Sequence, residues 1–242
     1  IINGTNQPTI NKGNVNTATQ AVNNTKDALD GDHRLEEAKN NANQTITNLS
    51  NLNNAQKDAE KNLVNSASTL EQVQQNLQTA QQLDNAMGEL RHSIANKDQV
   101  KSDSKYLNED PQIKQNYDDA VQRAEGLINA TQNPELLKAN IDQATQSVQN
   151  AEQALHGAEK LNQDKQTSST ELDGLTDLTD AQREKLREQI NSSNSRDDIK
   201  QKIEQAKALN DAMKQLKEQV AQKDGVHANS DYCLLYTSDA AD

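Results

Sequence analysis

Four histidines, a few groups of carboxylates and one cysteine are the side chains that could do chemistry in this sequence, and their spacing argues against it. His33, His92, His156 and His227 are scattered along the chain, whereas a zinc site wants two or three ligands at turn or helical spacing. They read as solvated surface histidines. Asp27, Asp30 and Asp32 surround Gly31 and superficially suggest a calcium loop, but they lack its alternate-residue ligand pattern and its bidentate closing Glu. A turn at a helix junction accounts for them better. The pairs Asp118-Asp119 and Asp197-Asp198 could be a general acid and base. Each falls in the first turns of an expected helix, where carboxylates meet the positive end of the dipole and neighbouring residues point to different faces. There is no Gly-rich phosphate loop, nucleophile elbow or Cys/His pairing. The expectation is no catalytic residue, no metal ligand, no cofactor and no enzyme.

Composition points the same way. The 242 residues are 32% hydrophobic and 2% aromatic, without Phe or Trp, and with Tyr only at Tyr106, Tyr117, Tyr232 and Tyr236. Such a chain is poorly equipped to wall off a dry pocket. Its 25 basic against 37 acidic side chains, a net charge of -12, repel phosphate backbones, and few rings are available for base stacking, so nucleic acid is not an expected partner. No apolar run reaches bilayer length. Leu, Ile and Val supply roughly 18% of the chain, a level that composition alone would assign to disorder.

Pattern overrules that assignment. The sequence matches itself without gaps at an offset of about 126 residues, with roughly a third of the positions identical. Pro8 falls on Pro134, Leu29 on Leu155, Gly31 on Gly157, Ala86-Met87 on Ala212-Met213 and Tyr106 on Tyr232. Within each copy apolar residues step by three or four. Val73, Leu77, Ala80, Leu83, Met87, Leu90 and Ile94 form one stripe, and Ile199, Ile203, Ala206, Leu209, Met213, Leu216 and Val220 form its counterpart. Met87 and Met213 are core filler in this reading.

These stripes require helices, expected at 9–29, 33–47, 54–66, 70–95, 111–129, 134–156, 158–171, 180–192 and 196–222. Asn53 with Gln56 and Thr179 with Gln182 have capping-box spacing, while Asn133-Pro134 and Asp110-Pro111 place proline at a first helical position. Helices this short are marginal alone, so their stripes must be buried in small three-helix bundles. The fold class is therefore all-α, with tandem three-helix bundles in series. Gly157 costs a helix roughly 1 kcal/mol and need not break it, so neighbouring bundles are expected to share long helices and form an elongated, monomeric rod. With its stripes consumed inside the bundles, the chain should keep no apolar face for association.

The residues also carry a family resemblance. Tyr117-Asp-Asp-Ala-Val121, Ala124, Leu127 through Pro134, Ile141, Ala144, Val148 and Ala154-Leu-His-Gly157 resemble a FIVAR module. Leu175-Thr-Asp-Leu178 through Gln182, Ile190-Asn191, Ile199, Ile203, Ala206, Leu209 and Ala212-Met213 are similar to a GA-type three-helix module. Their alternation at this period resembles the repeat regions of giant staphylococcal extracellular-matrix-binding surface proteins.

The module boundaries expected on this basis are a partial FIVAR-like module over 1–30, GA-like bundles at 31–96 and 158–222, a FIVAR-like module at 97–157, and the start of another at 223–232. The resemblance implies a non-catalytic segment of a cell-surface adhesin, anchored to wall or membrane elsewhere. It also implies a rod-like spacer and association with a host matrix protein such as fibronectin. Albumin binding, known for GA modules with exposed aromatics, is not expected, because 158–222 contains no aromatic residue. The sequons Asn129-Ala-Thr131 and Asn191-Ser-Ser193 are chance matches in an amide-rich chain and would carry no sugar in a bacterial protein.

The register fails after Tyr232. Cys233 to Asp242, holding the single cysteine and Tyr236, reads as translated sequencing-adapter sequence rather than natural protein. The chain opens in mid-unit at Ile1-Ile2-Asn3, without a signal peptide or sorting signal, as a fragment would.

Overall fold

The computed structural model describes residues 10–223, 225 and 228, and every regular element among them is an α-helix. In order these are α1 (Lys12–Asp27), α2 (Gly31–Asn48), α3 (Asn54–Ser66), α4 (Leu70–Ser93), α5 (Lys97–Ser102), α6 (Ser104–Leu107), α7 (Pro111–Ile128), α8 (Lys138–Gln153), α9 (Gly157–Asp173), α10 (Asp180–Asn191) and α11 (Arg196–Ala221). His227, Tyr232 and the expected artefact Cys233–Asp242 lie outside the described residues, as do Pro8 and the first residues of the chain. Two compact units result: residues 1–95 with 121–148, and residues 96–120 with 149–242.

In the first unit α2, α3 and α4 pack pairwise into a three-helix bundle around Ala42, Ile46, Val64, Ala67, Val73 and Ala80. Their starts are fixed locally. The Asn53 side chain accepts the Gln56 amide while the Gln56 side chain accepts the Asn53 amide, closing a capping box, and Thr69 caps α4 through Gln72. The loop between α2 and α3 is held by buried Asp84, whose carboxylate takes the amides of Asn51 (2.8 Å) and Leu52 (3.1 Å).

The second unit repeats the plan with α9, α10 and α11 around Leu161, Leu172, Leu178, Ile190, Ile199, Ile203 and Ala206. Thr179 and Gln182 close its capping box. Asn210, at the place of Asp84, accepts the amide of Asp177, the counterpart of Asn51, at 2.9 Å.

Four expectations need correction. Residues 97–107, where no helix is expected, form α5 and α6, with Asp103 accepting the Lys105 amide at the start of α6. Next, α8 starts at Lys138 rather than at Pro134. Asn133 takes φ 46°, a left-handed conformation that Asn tolerates better than most residues, and the chain stays irregular to Leu137.

The third correction is that 134–166 is not one helix broken only in name at Gly157. Helix α8 ends at Gln153, Leu155 is buried, and α9 begins at Gly157. The fourth concerns the stripes, which are not consumed everywhere. Leu83, Met87 and Leu90 are fully buried, but Leu209 is 37% exposed, Leu216 56% and Val220 52%. The physical reason is the supply of partners. Unit 1 contains residues 121–148 beside its bundle, whereas among the described residues α11 packs mainly on α9 and α10.

Leu83 and Leu209 therefore diverge in energy despite their equivalent places. Leu83→Ala should cost about 2–5 kcal/mol, and Leu209→Ala under about 1 kcal/mol. Chemical denaturation of the two single mutants measures both, and equal losses would contradict the difference in burial.

Candidate functional site

The side chains singled out for chemistry are not brought together. His33, His92 and His156 are exposed. No group of three or more His, Cys, Asp or Glu among the described residues is placed to hold a metal. Asp27 closes α1 and Asp30 sits at the N-cap of α2, so that cluster lies at a helix junction.

Asp118 accepts the Tyr106 hydroxyl at 2.8 Å and pairs with Lys101 at 2.9 Å, while Asp119 turns away to Gln115. Burial works against the Asp118 charge, but Lys101 and Tyr106 outweigh it and hold the carboxyl below its usual range. Burial and the Asp118 contact push the Tyr106 hydroxyl up to about 12. Tyr106 packs edge-on against fully buried Tyr117, centroids 6.0 Å apart. Asp198 bonds Lys202 at 2.7 Å, and Lys202 reaches Ser193 and the Gln189 carbonyl. Asp118 and Asp198 each brace a neighbouring part of the chain. The groove between α9 and α11 is lined by Asp164, Glu171, Arg196, Lys200, Glu204 and Lys207, a charged surface rather than a dry pocket.

What the structure does assemble is polar joints, where side chains of one helical bundle bind the backbone of the next segment. In the first unit the capping box does double duty. While Asn53 Oδ1 caps α3, its Nδ2 donates to the carbonyls of Leu127 and Ile128, both at 3.3 Å, which are orphan acceptors at the end of α7. Gln56, fully buried, uses Oε1 on the Asn53 amide and Nε2 on the Glu135 carbonyl at 2.9 Å. Glu135 in turn accepts the Leu137 amide and the Asn140 side chain, contacts that hold its carboxyl below the usual range. Both partners of a short-range helix signal thus also secure residues 127–135.

The second joint lies inside the second unit. Buried Asn108 donates to the Asn194 carbonyl at 3.0 Å and accepts the Arg196 amide at 3.1 Å. Glu109, its side chain fully buried, accepts the Asp110 amide, the His156 amide and the Lys160 ammonium. Asp110 reaches Lys160 at 2.7 Å and Arg196 at 2.9 Å, and Arg196 reaches Asp164 at 2.7 Å.

Burial disfavours the charge on Glu109, yet Lys160 and the two amides prevail and hold it low. Asp110 is lowered by Lys160 and Arg196. Their contribution to stability is present above the unfolded carboxylate pKa and is lost as pH falls through the lowered folded value. Asn108 and Glu109 sit outside the apolar stripes, and no local pattern marks them.

Gly157 makes this joint possible. A Cβ there would lie 2.5 Å from the Glu109 nitrogen and 2.6 Å from the Lys105 oxygen, while at the equivalent Gly31 nothing lies within 4 Å. The two glycines share a register and differ in need.

Comparison with known proteins fits this architecture. The FIVAR domain model matches residues 1–30 and 86–156, and the GA module model matches 32–86 and 158–212. A crystal structure of residues 756–1003 of EbhA from Staphylococcus aureus superposes with a TM-score of 0.77 at 34% identity, covering 82% of this chain and 81% of that one. The chain belongs to the Ebh family of repeat proteins. The extracellular matrix-binding protein ebh of S. aureus strain NCTC 8325 is 44% identical over 224 residues, and EbhA of strain Newman is 44% identical over 232. This Ebh-family chain covers 93% and 96% of its own length in those matches but spans only 2% and 7% of theirs. A solved structure connected with Embp-mediated adherence of Staphylococcus epidermidis to fibronectin matches 52% of the chain at 34% identity, TM-score 0.50.

The FIVAR match begins at residue 86, inside α4, so one continuous helix carries the end of the GA match and the start of the FIVAR match. The first joint ties this GA module to the far part of the FIVAR module, and the second ties the near part to the following GA module.

Substitution at the two glycines tests the second joint. Gly31→Ala should be neutral or stabilising by up to about 1 kcal/mol. Gly157→Ala should lose at least about 1–3 kcal/mol, since backbone atoms must move. Thermal and chemical denaturation compare the two, and a gain at Gly157 would contradict the close approach.

Proposed function

We propose that this chain is a non-catalytic repeat segment of a bacterial cell-surface adhesin, acting as a rod-like spacer and contributing to binding of extracellular matrix, fibronectin in particular. The observation that carries the reading is the pair of joints. Independent beads on a string would need neither a capping box that reaches into the next module nor a buried Glu109 that binds both an amide and an ammonium across the junction. Side-chain to backbone bonds of this kind restrict rotation between segments, the property a spacer requires. The long helices supply reach, since α11 has 26 residues, about 40 Å at 1.5 Å per residue.

Matrix binding enters through the relatives, which are named extracellular matrix-binding proteins, and through the Embp structure with its stated connection to fibronectin. The same relationship supports surface placement. Among the described residues no helix is long and apolar enough to cross a membrane, so anchorage would come from other parts of such a protein. Albumin is disfavoured as a partner, since residues 158–222 hold no aromatic side chain of the kind that usually dominates interface energy.

Small-angle scattering with sedimentation velocity tests the spacer. An elongated monomer is expected, because a net charge of -12 opposes association of like molecules. A compact particle would defeat it. Titration against immobilised fibronectin tests the binding half, with saturation at about micromolar concentration or better expected and no retention as the contrary result.

A further inference from the structure

The buried face of α3 runs Gln56, Glu60, Val64 and then Ala67 just past its end, a helical stripe interrupted by one acid. Glu60 is 0% exposed, and neither carboxylate oxygen has a hydrogen-bond partner. In the second copy the same place holds Leu186, half-buried beside its core, so the position itself calls for an apolar side chain. Gln56 and its counterpart Gln182 differ in the same way, the first fully buried and the second half-buried. The extra cover in the first copy coincides with residues 121–148, which Gln56 touches one turn before Glu60 through the Glu135 carbonyl.

We propose that Glu60 couples the seating of residues 121–148 on the first GA bundle to the uptake of a proton. An ionised carboxylate without a partner is far more costly to bury than a neutral acid, and neither Glu60 oxygen has a hydrogen-bond partner. On the elements packed against α3, half-buried Lys39 pairs with Glu36, Asp84 is bound by the Asn51 and Leu52 amides, and Arg91 donates to the Asn51 carbonyl. Glu135 is held by Leu137 and Asn140. On α3 itself Lys57 donates to the Thr47 carbonyl, and Lys61, the next residue along, points to another face.

Burial pushes the Glu60 carboxyl up from its ordinary value. The stability linked to it is therefore fully present below the unfolded pKa and is lost as pH rises through the folded one. Acid tightens this joint. The sign is opposite to that of Glu109 and Asp110, whose contribution is lost only at lower pH, below the ordinary carboxylate range.

The inference rests on the reading of Asn53 and Gln56 as a joint, and one experiment separates the two. Carbon-detected NMR of the full chain follows the Glu60 carboxyl, and hydrogen exchange, corrected for intrinsic rates, follows the amides of residues 127–140. The Glu60 midpoint should lie above 4.5. Protection should rise from about pH 7 to about pH 5, by at most about tenfold per pH unit for one linked proton. Over that window the carboxyls held low stay ionised. Glu60→Gln, and Glu60→Leu as in the second copy, should show the acid-level protection at both pH values. A Glu60 midpoint at or below 4.5, or a pH response unchanged in both variants, overturns the linkage while leaving the joint intact. Absence of protection over 127–140 at every pH overturns both.

Discussion

A side-chain amide that satisfies two backbones at once is the interaction on which this structure depends. With no Phe or Trp and 2% aromatic residues, the bundles bury thin stripes of Leu, Ile, Val and Ala. Such stripes hold three short helices together but say little about where the next segment attaches. Asn53 and Gln56 supply that information, because each uses one end on the start of α3 and the other on carbonyls of residues 127–135. Asn108 and Glu109 do the same job in the second unit, with backbone amides at Arg196 and His156. Polar groups removed from water are costly unless bonded, so each joint accepts one geometry and penalises its neighbours.

This economy explains why the sequence was informative about some levels and silent about others. The helical period, the internal repeat and both capping boxes are local signals, and the structure contains the helices and caps they imply, down to Thr179 with Gln182. The break at Gly157 and the late start of α8 share one reason, since both answer to residues far away in sequence. Gly157 lies against the backbone of Lys105 to Glu109, and the Glu135 carbonyl is bound by Gln56. Local propensity allows a helix from Pro134 and through Gly157, and the chain takes neither. Glu109 was invisible because its partners are a main-chain amide and a lysine about 50 residues away, which no spacing rule encodes. Glu60 could have been noticed, since its repeat counterpart Leu186 marks the place as apolar.

The acids and histidines that first invite a chemical reading fall into mechanical roles. Asp118, Asp198 and Asp84 brace loops or neighbouring helices through ion pairs and amides, and the histidine side chains described remain in solvent. Proton chemistry at these acids bears on how tightly segments are held. In an Ebh-family repeat the same polar atoms that replace missing aromatic packing also fix how segments attach within each unit.

Native-state hydrogen exchange across a guanidinium series most directly tests whether the joints make neighbouring modules act together. If they do, the slowest amides of α3 and of residues 127–148 will merge into one opening isotherm, with a common free energy and a common denaturant dependence. Two separate isotherms, with 127–148 opening first while α3 keeps its full protection, would show that the modules are independent and that the joints are surface decoration.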